Sequence, residues 1–154
     1  MSTLEDLKCK GQFYEFMLLA WGLIEFLSDE GILMAYSLSS QDVRAKPLLD
    51  FSFSRKLSLF KNMQILSTKD YYVIEQFRTK RNELFHVGGL YLSSLTDDAK
   101  EETMTIGLKA VQIMNSIIPV LNERQSGRYV YLRKEKEKND SANRSGSDWQ
   151  KEDF

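Results

Sequence analysis

Arg81, Asn82 and His86 are the residues whose types and spacing are suited to chemistry in this 154-residue chain. His86 is the single histidine, and imidazole is the side chain that exchanges protons near neutral pH. Arg81 offers a planar guanidinium whose paired donors fit a phosphate. Asn82 stands one helical turn before His86, where an amide can orient the ring or touch a bound ribose or phosphate. Such groups suit RNA cleavage without a metal, which needs a base for the 2′-hydroxyl, an acid for the leaving oxygen and cations around the crowded phosphate. A scheme that uses two imidazoles requires a second copy of the chain, with the site across a homodimer contact.

The helix that carries these residues is expected over Thr68 to His86, capped by Ser67 with Asp70 and stopped by Gly88-Gly89. At about 100° per residue, Val73, Phe77 and Leu84 share its core-facing stripe, with Ile74 and Phe85 at the edge. Arg78, Asn82 and His86 follow at i, i+4 as a polar row. Arg81 falls between Phe77 and Ile74, where a charge is costly unless it is paired or meets another subunit. In the last turn the helix dipole favours a protonated His86, and Arg78 and Arg81 oppose it.

The other elements read as helices too. Helix 1 starts at the Ser2/Glu5 or Thr3/Asp6 capping box and runs to about Ser28 through Leu7, Phe13, Phe16, Met17, Ala20, Ile24 and Leu27, with a break or bend at Asp29-Glu30-Gly31. Residues 37–52 form a loop around Pro47, with Leu48, Leu49 and Phe51 folding back on the bundle. Helix 2 begins at a Ser52 or Ser54 cap and ends near Asn62. Thr96 caps helix 4, whose buried stripe is Met104, Leu108, Val111, Met114, Ile118 and Leu121, with Pro119 a candidate kink. The expected organisation is a helical domain over 1–125 and a charged, disordered tail over 126–154, in which Trp149 and Phe154 are passengers or a short linear motif.

Arg81-Asn82 followed by His86 late in a helix resembles the signature of HEPN (higher eukaryotes and prokaryotes nucleotide-binding) domains. Trp21-Gly-Leu-Ile-Glu25 and Phe53-Ser-Arg-Lys-Leu57 upstream match the usual order of that family's elements, and the resemblance covers roughly Leu7 to Leu121. It implies an all-α, four- to five-helix up-and-down bundle, a homodimer with a shared cleft, and RNA cleaved without metal or cofactor, in host defence or toxin–antitoxin systems. Carried over, Arg81 is the phosphate-stabilising arginine, His86 the general acid or base, and Asn82 their neighbour in the site. In the toxin branch a tyrosine commonly stands two residues past the histidine, where this chain has Gly88. An antitoxin or nucleotidyltransferase partner would be a separate chain. The alternative is a catalytically silent HEPN module for dimerisation, RNA or partner binding, in which Arg81 pairs with a carboxylate such as Glu25 and His86 caps the helix.

Composition bounds these readings. With 42% hydrophobic and 28% charged residues the chain is ordinary for a globular protein, and its net charge of −1 gives no overall field for nucleic acid. An RNA site must therefore be a local patch, for which Arg55, Lys56, Lys61, Lys69, Arg78 and Lys80 are candidates. Tyr71, Tyr72 and Tyr91 are candidates for base stacking or for plain packing. Cys9, the single cysteine, permits no internal disulfide and is expected in the core of helix 1. One histidine and one cysteine make no zinc site. No nucleophile elbow, Walker loop or dinucleotide fingerprint is present. The expected location is the cytoplasm: no signal-peptide pattern opens the chain, and the apolar run Phe16 to Ile24 is short of the ~20 residues a span needs.

Overall fold

Gly11, at φ 64°, sets the first break in the chain. The computed structural model describes residues 2–86 and 95–145, and among these it has six helices and no strand: α1 (Ser2–Cys9), α2 (Phe13–Ala35), α3 (Ala45–Leu49), α4 (Phe53–Asn62), α5 (Thr68–His86) and α6 (Asp97–Ser145). The Gly88-Gly89 stop, the connection Leu90 to Ser94, Tyr91, Trp149 and Phe154 lie outside the described residues. The chain divides into two units, Met1–Leu121 and Asn122–Phe154, and the core belongs to the first.

The expected first helix is thus two helices, broken at Gly11 rather than at Gly31. Gly11 N donates to Lys8 O at 3.0 Å and Gln12 N to Leu7 O at 2.9 Å, the paired bonds of a helix end closed by a left-handed residue. α2 then runs straight through Asp29-Glu30-Gly31. Gly31 is there for space: a Cβ on it would come within 2.9 Å of Phe60 Cζ. Because α1 buries Leu4 and ends two residues short of the break, Cys9 is exposed instead of lying in the core.

Helix ends elsewhere follow the cap residues. Ser52 Oγ accepts from Arg55 N at 3.4 Å at the start of α4, Ser67 Oγ from Asp70 N at 3.1 Å before α5, and Thr96 Oγ1 from Ala99 N at 3.2 Å before α6. The expected loop over 37–52 contains α3, in which Pro47 is tolerated because first-turn N–H groups have no partner inside the helix. Just before it, the Arg44 guanidinium bonds the Asp42 carboxylate at 2.7 and 3.0 Å and holds its pKa down at about 2.

Phe16 of α2, Phe60 of α4 and Phe77 of α5 are fully buried and form the centre of the core. α6 closes over it at Gly107, where an added Cβ would lie 2.6 Å from Phe77 Cε2 and 2.8 Å from Phe16 Cε1. That approach turns the buried stripe of α6 to Met104, Ala110, Val111, Met114, Ile117 and Leu121, leaving Leu108 and Ile118 half-buried. On α5 the stripe is Ile74, Phe77 and Leu84, with Val73 half-buried and Phe85 exposed. Within α6 the stretch Asp97–Ser126 is long and apolar enough to cross a membrane by length and composition, with mean hydropathy 1.4 over its most apolar window, and it supplies six of the core side chains just named.

Beyond Leu121 the backbone of α6 is helical to Ser145.

Two glycines should fail differently. Gly11→Ala should lower stability by about 1 kcal/mol through the left-handed backbone alone. Gly107→Ala should cost roughly 1–3 kcal/mol by overpacking, despite alanine's better helix propensity. Urea unfolding followed by circular dichroism measures both.

Candidate functional site around Arg81

α5 brings Arg81 to the edge of the core, and α2 supplies what covers it. The Arg81 guanidinium carbon lies 5.1 Å from the ring centre of Trp21 and 5.1 Å from that of Phe85. Its Nη1 donates to Asn82 Oδ1 at 3.0 Å, while its Nε is buried without an acceptor. Trp21, 8% exposed, meets Phe53 edge-on at 4.9 Å and Phe77 at 6.5 Å, and its own Nε1 also lacks a partner. The charge in the apolar stripe is therefore accommodated on aromatic faces. Among the described residues no carboxylate pairs with it, Glu25 included. Asn82, half-buried, uses its oxygen to hold the guanidinium, and His86 is the last residue of the same helix.

Of the expected basic rim, Lys56 is buried and Arg78 and Lys80 lie beside carboxylates, while Arg55 and Lys69 are exposed. Lys56 is 7% exposed and bonds Asp29 Oδ1, so it faces the core and not a ligand. The reason is its place between Arg55 and Leu57 on the inner side of α4, where a long stem reaches an acidic turn of α2. Arg78 bonds Glu75 Oε2 through Nε at 3.0 Å and Nη2 at 2.7 Å. Lys80 lies 3.9 Å from Glu102 Oε2. Arg55 is exposed but sits 3.8 Å over the Phe51 ring, and Lys61 lies 4.9 Å over Tyr71. A cation already paired releases fewer counterions to a phosphate backbone.

What the sequence did not reveal is the covering of Arg81 by Trp21 and Phe85 and the pairing of Arg78 with Glu75. The i, i+3 spacing of Glu75 and Arg78 was a usable sign. Nothing local pointed to Trp21, which is distant in sequence. Among the described residues no three His, Cys, Asp or Glu side chains gather where they could hold a metal ion. A cleft of about 420 Å³ lies apart from Arg81, between α1 and the start of α6, lined by Lys8, Cys9, Asp97, Lys100, Glu101 and Met104 among others.

No family model, curated protein or solved structure matches the chain.

The Lys56–Asp29 pair gives a test of placement. Asp29→Asn leaves a buried ammonium short of its counter-charge and should lower stability by about 2 kcal/mol. Lys56→Met removes the charge, leaves Asp29 to water, and should cost less. Thermal and urea unfolding of the two variants compare them.

Proposed function

We propose that this chain is a metal-independent endoribonuclease of HEPN type that works as a homodimer. The observation that carries the reading is the held geometry of Arg81: a guanidinium fixed by Trp21, Phe85 and Asn82 on the helix that ends at His86. A fixed guanidinium can meet a phosphate without first being ordered, which is what stabilisation of a crowded transition state asks for. Each protomer then brings one imidazole, one acting as base on the 2′-hydroxyl and the other as acid on the leaving 5′-oxygen. Arg81 takes the non-bridging oxygens. The bundle would be an up-and-down arrangement of HEPN type, with α2, α4 and α5 in the places of the family's recurring elements.

The internal use of Lys56, Arg78 and Lys80 favours a second reading, a silent HEPN module that dimerises or binds a protein partner. The two part company in one assay. Purified protein incubated with tRNA or single-stranded RNA in EDTA should cleave it, and His86→Ala or Arg81→Ala should abolish cleavage. Wild type that behaves like both variants, while still forming dimers, selects the silent module.

A further inference from the structure

Gly22 stands in the middle of α2, and nothing among the described residues requires it. A Cβ built there meets no atom within 4 Å, whereas at Gly31 one would strike Phe60 and at Gly107 the rings of Phe77 and Phe16. Glycine is a poorer helix residue than alanine, so α2 loses stability at this position without making room for its own core. The surface around Gly22 is apolar: Leu18 is 64% exposed, Phe26 58% and Leu19 37%. Leu19, Gly22, Leu23 and Phe26 stand at i, i+3, i+4 and i+7, the corners of the hole that receives one side chain of a packed helix. Gly22 is also a corner of the preceding hole, with Glu15, Leu18 and Leu19. Lacking a side chain at the shared corner, both holes are deeper than alanine or leucine would leave them.

The rim of this strip carries charge of one sign. α2 holds Glu15, Glu25, Asp29 and Glu30 and no lysine or arginine over its 23 residues. Lys56 takes Asp29, but Glu15, Glu25 and Glu30 have no cation within ion-pair distance among the described residues. At about 100° per residue, Glu25 falls just outside Leu18 and Glu30 just outside Leu19, so carboxylates bound the apolar strip on both sides. A second copy laid across Gly22 would set Glu15 against Glu15 if its α2 ran parallel, or against Asp29 if antiparallel, like charge on like. An RNA strand or an anionic lipid surface would meet the same repulsion.

We propose that this strip of α2 docks an amphipathic helix of another protein, one that sets apolar side chains into the holes at Gly22 and carries lysine or arginine on its flanks to meet Glu15, Glu25 and Glu30. The exposed apolar residues call for cover, the successive holes give that cover the shape of a helix, and the unmatched carboxylates give it a positive sign. The inference goes beyond the nuclease reading and does not depend on it. Trp21, which holds Arg81, lies about 100° round the α2 axis from Gly22.

The probe is a synthetic peptide of about three heptads, with leucine at its apolar positions and lysine on both flanks, whose like charges keep it from pairing with itself. Fluorescence anisotropy with the full chain should show saturable one-to-one binding, and a peptide with glutamate in place of every lysine should not bind. Gly22→Leu should weaken binding at least tenfold while the melting temperature holds or rises, because the added side chain fills the holes and suits the helix better. Glu15→Lys combined with Glu25→Lys should lose the lysine peptide and gain the glutamate one. Glu101→Lys combined with Glu102→Lys, both exposed on α6, should bind as wild type does. Loss of binding in that variant too would mean attraction to net charge alone and would overturn the proposal. Equal binding by wild type and Gly22→Leu, or none by wild type, overturns it as well. Sedimentation equilibrium that finds wild type dimeric and Gly22→Leu monomeric gives the strip to a second copy instead, against the proposal.

Discussion

An arginine set beside a tryptophan at the core margin joins α5 to α2. Trp21 is the shared neighbour: Phe53 meets it from the start of α4, Phe77 from the middle of α5, and Arg81 from one turn further on. A guanidinium is flat and weakly hydrated, so it can cover an indole at the core margin where an ammonium would demand water. Partly desolvated contacts of this kind are worth up to about 2 kcal/mol. Their larger effect is orientational, because Asn82 and Phe85 leave the charged plane little freedom.

Three other cations of the first unit are likewise engaged within it. Lys56 reaches Asp29 across two helices, Arg78 folds back on Glu75, and Lys61 rests on Tyr71. These side chains tie helix to helix or stiffen a single turn, and they leave less free positive charge on α4 and α5 than their number suggests. With a net charge of −1, the chain is better equipped for a contact of limited area than for tracking a long polyanion.

Helix type and most helix ends were legible in the sequence because caps act over three residues. Ser52, Ser67 and Thr96 sit where short-range chemistry puts them, and the structure begins α4, α5 and α6 after them. Glycines were harder, since one residue type serves opposite ends. Gly11 breaks a helix by adopting a left-handed conformation, whereas Gly31 lies inside one and makes room for Phe60, and only the partner helix tells them apart. The position of Arg81 in the apolar stripe could be computed from helical geometry. Its covering by Trp21 could not, because that contact joins residues distant in sequence. Lys56 was misplaced on the rim for the same reason: its counter-charge, Asp29, belongs to another helix.

Gly107 lets rings from two different helices, Phe16 and Phe77, rest against the backbone of α6. Sliding α6 by a turn in either direction would bring Thr103 or Val111 beneath those rings, and neither leaves space for them. The bundle's register is therefore fixed by a missing side chain. A notch of this kind works as a detent: it denies the core the shifted packings that a uniformly apolar stripe would allow, and so favours a single arrangement over a family of near-equivalent ones.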